Sequence, residues 1–292
     1  MIMFRLLFAV FLLFPASAHA EKLKLVASFS ILGDMAQLVG GDDVDVKTLV
    51  GPDGDAHVYE PSPADAKTIV SANLVIVNGL GFEGWMERLI ASSGYAGPVV
   101  VASHGIEPLA FSGEGLTQDP HAWQSLANGR IYVANIRDAL IAADGEHADK
   151  YRANAAHYLK QIDALDRWVK NEIATVPAGK RKVITSHDAF QYFARRYGVQ
   201  FIAPLGVSTE SEASAADIAR LIDQIRAGKV RAVFMENITD ARLIRQLESD
   251  GGAYVGGTLY SDALSSAGGP AATYLAMFRH NVIQLVEGME YN

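Results

Sequence analysis

Three histidines and one aspartate stand out because each lies in a short polar segment just beyond a predicted strand. They are His57, His121, His187 and Asp262, in the segments 51–63, 118–123, 185–190 and 259–264. Ligands of α/β sheets bind at the carboxyl ends of the strands. Three imidazoles and one carboxylate make a complete four-ligand set for Zn²⁺, and a site without an open coordination position carries metal rather than activating water.

Taken one at a time, each of these residues also has an ordinary structural interpretation. His57 could be a surface residue of a loop, and His121 could lie on the surface of a turn set by Asp-Pro. His187 could belong to a segment that caps a helix, and Asp262 could be a helix N-cap. Asp119 is placed to accept the second N–H of the His121 ring, which is the usual arrangement around a metal-bound histidine. It is the combination of all four at strand ends that favours a metal site.

The elements that must position these residues alternate between short β-branched runs and helical patterns. This alternation predicts βα units on mostly parallel sheets. The predicted strands are 23–27, 44–50, 74–78, 99–102, 182–186, 199–203, 231–236 and 253–258, and the predicted helices include 31–39, 63–71 and 215–227.

Between the two alternating halves lies one long helical pattern. Apolar residues recur at steps of three and four from about 145 to 176, and no Gly or Pro occurs within 146–176. The predicted fold class is therefore α/β, with two lobes of mostly parallel sheet linked by one long rigid helix. We expect the first lobe at 21–144, the linking helix at 145–176 and the second lobe at 177–292.

The N-terminal residues have the pattern of a cleaved secretory signal, assigned to 1–20. Arg5 precedes the apolar run 6–14, and Ala18-His19-Ala20 offers small residues for cleavage after Ala20. The chain has no cysteine, which excludes disulfides and thiolate metal ligands. We therefore expect a soluble periplasmic protein without a lipid anchor. The net charge of −8 argues against nucleic acid as a partner.

Over essentially the whole mature chain, the sequence resembles the substrate-binding proteins of zinc/manganese ABC transporters, the metal-specific solute-binding protein family 9. The segments that carry the resemblance are 54–61, 78–85, 119–123, 186–190, 207–210 with Ser214, and 261–265. The resemblance implies two α/β lobes bridged by a rigid helix, with metal held between them. By resemblance, the metal ligands fall on His57, His121, His187 and Asp262.

The resemblance also implies a function, which is high-affinity capture of zinc outside the cytoplasm and delivery to an ABC transporter permease. It implies a binding protein rather than an enzyme. We expect a monomer, and a periplasmic metallochaperone is a further candidate partner.

Two departures from the family pattern bear on the metal. Many zinc-specific members carry a long loop rich in His and Asp between the first two ligand histidines, whereas 104–118 is short, rich in Gly and polar residues, and contains only His104. We expect this stretch to be a mobile loop. Manganese-selective members tend to have Glu at the third ligand position, where this chain has His187. More nitrogen and less carboxylate favours zinc, so we predict Zn²⁺ as the transported ligand, with Mn²⁺ as the alternative.

Two other classes of function remain as alternatives. A zinc-dependent hydrolase needs an open coordination position and a general base, and the sequence contains no His-Glu-x-x-His motif. A binding protein for an organic solute, or an adhesin on the same scaffold, needs aromatic and hydrogen-bonding groups for that solute. Metal analysis of the purified protein distinguishes a binding protein for an organic solute from a metal carrier.

Overall fold

Two parallel sheets, one in each half of the chain, position the four residues. The computed structural model describes residues 21–113, 116–210, 214–227, 230–240 and 242–292. The predicted signal peptide at 1–20 lies outside the described residues. Within the described residues, no helix is both long and apolar enough to cross a membrane.

The first lobe contains a four-stranded parallel sheet in the order β2-β1-β3-β4. Its strands are β1 (Leu23–Phe29), β2 (Val44–Val50), β3 (Leu74–Val77) and β4 (Val99–Val101). Its helices are α1 (Ser30–Gly40), α2 (Pro63–Val70), α3 (Met86–Ser93) and α4 (Leu126–Ala143). All four residues of β3 are buried, as expected for an inner strand of a sheet that is covered on both faces.

The second lobe repeats this plan with a sheet in the order β10-β9-β7-β8. Its strands are β7 (Lys182–Ile184), β8 (Gln200–Ile202), β9 (Ala232–Glu236) and β10 (Tyr254–Leu259), all parallel. Its helices are α6 (Gln191–Tyr197), α7 (Ala215–Arg226), α8 (Arg242–Gly251) and α9 (Tyr274–Met289). The carboxyl ends of β7, β9 and β10 therefore share one edge.

The helix α5 (Ala148–Thr175) joins the lobes and has 28 residues. At about 1.5 Å per residue it is roughly 42 Å long. It packs against α1 and α4 of the first lobe and against α6 and α9 of the second. Its buried side chains follow helical spacing: Tyr151, Ala155, Tyr158, Ile162, Leu165, Asp166, Val169 and Ile173. The predicted fold class is confirmed, whereas the exact domain boundaries remain a prediction.

The stretch expected to be a loop at 104–118 contains a two-stranded antiparallel hairpin, β5 (Ala110–Gly113) and β6 (Leu116–Gln118). The base of this hairpin is held by Tyr192 of α6. The Tyr192 hydroxyl accepts the backbone N–H of Leu109 at 3.0 Å and donates to the carbonyl of Asp119 at 2.9 Å. Pairing with a residue 73 positions away leaves no signal in the local sequence.

Candidate metal centre

The structure brings the side chains of His57, His121, His187 and Asp262 into one buried cluster. One nitrogen or oxygen from each lies within 4.8 Å of the others. The Nε2 atoms of His57 and His187 each lie 3.1 Å from Oδ2 of Asp262. Nε2 of His121 lies 3.3 Å from Nε2 of His57 and 3.6 Å from Oδ1 of Asp262. All three rings therefore turn the same nitrogen, Nε2, towards a common centre.

His57 lies in the loop after β2 and is fixed mainly through its backbone. Oδ1 of Asp55 accepts the His57 N–H at 2.9 Å, and the indole N–H of Trp85 donates to the carbonyl of Ala56 at 2.8 Å. Oδ2 of Asp55 accepts from the hydroxyl of Thr209 at 2.6 Å, a contact between the two lobes. Trp85 thus holds the loop that carries a cluster residue.

His121 lies directly after the hairpin and is fixed through both its backbone and its ring. Oδ1 of Asp119 accepts the His121 N–H at 2.9 Å and lies 2.8 Å from Nδ1 of the ring. The expectation that Asp119 accepts the second imidazole N–H agrees with this geometry, in which the tautomer is assigned from the contacts. An Nδ1–H bound to Asp119 leaves the Nε2 lone pair facing the cluster.

His187 follows the end of β7 by three residues and lies beside Glu236, the last residue of β9. Both side chains are fully buried, and Nδ1 of His187 lies 2.8 Å from Oε2 of Glu236. Glu236 was not predicted from the sequence to belong to the site. Its signal was a glutamate at the end of an otherwise apolar strand, Ala232–Glu236.

Asp262 follows the end of β10 by three residues and belongs to a segment bound by both lobes. In the first lobe, Trp123 and Gln124 donate to the carbonyl of Ser261 at 2.9 and 2.6 Å, and the hydroxyl of Ser30 accepts the N–H of Leu264 at 2.9 Å.

In the second lobe, the amide side chain of Asn281 bonds both backbone groups of Tyr260 at 2.9 and 2.7 Å. The carboxylate of Asp262 is therefore held at the junction of the lobes.

The cluster strongly perturbs the proton affinities of its members. Burial lowers the pKa of His121, but the negative charge of Asp262 and the hydrogen bond with Asp119 outweigh this effect and raise the pKa to about 9. Burial also lowers the pKa of His187, where the carboxylates of Glu236 and Asp262 prevail and raise it well above the ordinary value. Burial raises the pKa of Asp262, but the two imidazoles hold it well below its ordinary value.

The other histidines in the described part of the chain lie outside this cluster. His104, considered as an additional contact, is exposed and is not among the clustered residues. His147 contacts Asp144 with Nδ1 at 2.7 Å, and His157 is exposed on α5. Nε2 of His280, expected on the surface, lies 2.9 Å from the carbonyl of Thr258 and the residue is half-buried.

Comparison with known proteins supports a metal-binding role. A family model described as zinc-uptake complex component A, periplasmic, matches residues 25–288. The chain belongs to this family. A manganese-binding lipoprotein, MntA of Halalkalibacterium halodurans, is 34% identical over 274 residues, covering 94% of this chain and 90% of that protein. The iron-binding protein YfeA of Yersinia pestis is 35% identical over 277 residues, covering 93% of this chain and 88% of that protein.

A solved structure has the same fold. The periplasmic zinc-binding protein TroA of Treponema pallidum is 30% identical, with a TM-score of 0.87, covering 92% of this chain and 99% of that chain. The expectation of a metal-binding substrate-binding protein of an ABC transporter, rather than an enzyme, is confirmed at that level. Selectivity for zinc is not confirmed, because the relatives are named for manganese, iron and zinc.

The expectation of a protein without a lipid anchor is contradicted by these comparisons. MntA of Halalkalibacterium halodurans and MntA of Bacillus subtilis are both named lipoproteins. The expectation rested only on the absence of cysteine, and the absence of one residue type does not decide whether a protein is held at a membrane. The names of these two relatives associate them with a membrane anchor, and an extracytoplasmic location fits them.

Proposed function

We propose that this chain captures a divalent metal ion outside the cytoplasm and delivers it to the permease of an ABC transporter, with manganese as the cargo. The observation that carries the metal-binding part is the convergence of three Nε2 atoms and one carboxylate within 4.8 Å. In this proposal the ligands are His57, His121, His187 and Asp262. The whole set comes from one chain, which fits a monomer. A periplasmic metallochaperone is a candidate partner.

The charges around the cluster support a cation as the ligand. Oδ1 of Asp262 is buried and has no hydrogen-bond partner among the described residues. Asp119, Glu236 and Asp262 place three buried carboxylates at the site, and no lysine or arginine forms an ion pair with them in the described part of the chain. Buried carboxylates need partners, and a divalent ion supplies one.

Manganese is the proposed cargo because similar proteins carry that name, including MntA of Halalkalibacterium halodurans at 34% identity. Zinc is the second candidate because of the donor set and its spacing. Zn–N bonds of about 2.0–2.1 Å in a tetrahedron place ligand atoms roughly 3.3–3.4 Å apart. The observed separations of 3.1, 3.3 and 3.6 Å fall on both sides of that value.

Affinity in vitro does not identify the cargo, because zinc binds nearly any nitrogen–oxygen site more tightly than manganese does. The deciding experiment measures uptake of radioactive manganese and zinc by cells lacking the protein and by cells complemented with it. Restored manganese uptake with unchanged zinc uptake supports manganese. The converse result assigns zinc, and no restoration of either contradicts transport of these two ions.

The ligand assignment is tested separately with purified protein. Equilibrium dialysis against Mn²⁺ and Zn²⁺ should give one ion per chain. His121→Ala and His187→Ala should each weaken binding sharply, whereas His157→Ala, an exposed histidine on α5, should leave it unchanged. Wild-type affinity in both of the first two variants contradicts the assignment.

A further inference from the structure

Two of the three clustered histidines have a buried carboxylate at Nδ1. His121 has Asp119, and His187 has Glu236. His57 has no carboxylate at Nδ1 among the described residues and is 8% exposed. The histidine from the second lobe is thus supported in the same way as His121, but by a residue 49 positions away in the sequence.

We propose that Glu236 is a positioning residue, whose carboxylate fixes the ring of His187 so that Nε2 faces the metal. This inference rests on the proposed function, in which His187 is a metal ligand. A carboxylate that accepts the Nδ1 proton selects one tautomer and one ring orientation and raises the basicity of the ligating nitrogen.

The backbone contacts show that Glu236 holds the whole segment and not only the ring. Its Oε1 accepts the N–H of Ser186 at 2.8 Å and the N–H of His187 at 3.0 Å. Its Oε2 faces the ring. One side chain therefore fixes both the main chain of His187 and the rotation of its imidazole.

The contact between Nδ1 and Oε2 is short but not aligned as an ideal hydrogen bond. The two atoms lie 2.8 Å apart, and neither has another hydrogen-bond partner among the described residues. A separation of 2.8 Å lies within the range of a hydrogen bond between a ring N–H and a carboxylate. A buried polar group without a partner destabilises the folded protein, so each of these two atoms needs the other as its partner.

The sheet register explains why the pair forms. In the parallel pairing of β7 and β9, Ile184 lies opposite Val233. His187 and Glu236 each follow these residues by three positions, so they leave the sheet at the same level. On the other side of β9, Leu259 pairs with Glu236. Glu236 is therefore the last residue of β9, and β9 lies between β7, which leads to His187, and β10, which leads to Asp262.

The first lobe offers a matched control in Glu83. This glutamate is also buried, and it accepts the backbone N–H groups of Asn78 at 2.6 Å and Gly79 at 3.2 Å at the end of β3. Its remaining side-chain partner is the hydroxyl of Ser28, and among the described residues it forms no hydrogen bond or ion pair with a clustered histidine. Glu83 thus shares the backbone role of Glu236 without the imidazole contact.

The test compares Zn²⁺ and Mn²⁺ affinities of wild type, Glu236→Gln, Glu83→Gln, His187→Ala and the double variant Glu236→Gln/His187→Ala. We expect Glu236→Gln to weaken binding of both ions by about 10- to 100-fold, the usual effect of losing such a partner. Glu83→Gln should lower the melting temperature while leaving affinity unchanged. In the His187→Ala background, Glu236→Gln should cause no further loss.

Several results would overturn the inference. They are an unchanged affinity in Glu236→Gln, an equal loss in Glu83→Gln, or a full additional loss in the His187→Ala background. If His187→Ala itself binds like wild type, the ligand assignment fails as well, so the two failures are distinguishable.

A measurement on the wild-type chain tests the tautomer of His187 directly. Nitrogen-15 NMR of histidine-labelled, zinc-loaded protein reports which ring nitrogen carries the proton, with the His187 signal assigned by its loss in His187→Ala. The expected state has Nδ1 protonated and Nε2 bound to metal. Metal bound to Nδ1 contradicts the inference.

Discussion

Metal affinity should fall steeply as pH falls, because protons and metal compete for the same imidazole nitrogens. Burial opposes protonation of His121, but the carboxylates of Asp262 and Asp119 prevail and raise its pKa to about 9. The pKa of His187 is also well above its ordinary value, through Glu236 and Asp262. At neutral pH both rings therefore attract protons that a metal has to displace. A lower pH strengthens that competition, so metal should bind more weakly in acid.

The size of the effect follows from the shift at His121. A pKa of about 9 lies about 2 units above pH 7, and each unit corresponds to 1.36 kcal/mol. Displacing this proton at pH 7 therefore costs on the order of 3 kcal/mol, or roughly 100-fold in affinity. One displaced proton changes affinity about tenfold per pH unit, and a second from His187 makes the change about 100-fold.

The assay is competition for Zn²⁺ with a chelator of known pH dependence at pH 6, 7 and 8. Calorimetry in buffers with different protonation enthalpies counts the released protons directly. We expect between one and two protons per zinc at pH 7, and His187→Ala should reduce the number by up to one. Affinity that does not change between pH 6 and 8, or binding without proton release, refutes the reasoning.

Two further predictions concern stability of the metal-free protein. Burial raises the pKa of Asp34 to about 6, so its ionisation disfavours the folded state as pH rises through that value. Asp34→Asn keeps an acceptor for the N–H of Tyr274. It should raise the free energy of unfolding, measured with denaturant, by up to about 3 kcal/mol at pH 8 and by almost nothing at pH 4. An unchanged free energy of unfolding at pH 8 contradicts this prediction.

Burial opposes ionisation of Asp166, but Arg196, Lys170 and Tyr197 outweigh it and lower the pKa to about 2. This stabilisation is present above pH 3.8 and is lost as pH falls through 2. After discounting for solvent screening, Asp166→Asn should cost about 1 kcal/mol in the same assay at pH 7, and an unchanged stability there would be inconsistent with it.

The sequence predicted the cluster because parallel strands impose a simple geometry. All strands of a βα sheet end at the same edge, so polar residues shortly after several strands must lie near each other. His187 follows Ile184, the last residue of β7, by three positions, and Asp262 follows Leu259, the last residue of β10, by three. Strand prediction therefore placed these two residues at the same edge of one sheet, whereas their separation along that edge depends on the strand order.

The contacts around the cluster could not be predicted in the same way. From the sequence, Glu236 is only a polar residue at the end of an apolar strand. Its contact with His187 depends on β9 lying next to β7, with Val233 opposite Ile184. The sequence does not state that strand order. The raised pKa of His121 likewise depends on how closely the carboxylates approach the ring, and an unperturbed histidine would have suggested competition only below about pH 6.5.

The segment after β10 explains how a site between two lobes can stay assembled. Asp262 is counted with the second lobe by sequence, yet its neighbour Ser261 accepts from Trp123 and Gln124, and Leu264 donates to Ser30, all in the first lobe.

The same attachment continues to the start of α9. The N–H of Tyr274 donates to Asp34 at 2.8 Å, and the Tyr274 hydroxyl donates to the carbonyl of Trp123 at 2.5 Å. A wide separation of the lobes would break these buried bonds together, and each buried group left without a partner costs about 1–3 kcal/mol.

The linking helix α5 adds to this constraint, since it contains no Pro or Gly and a helix bends sharply only at such interruptions. Exchange of metal is therefore easier through local motion of ligand-bearing loops than through hinge opening. Among the three rings, the imidazole of His57 has the fewest restraints, because it alone has no carboxylate at Nδ1 in the described structure.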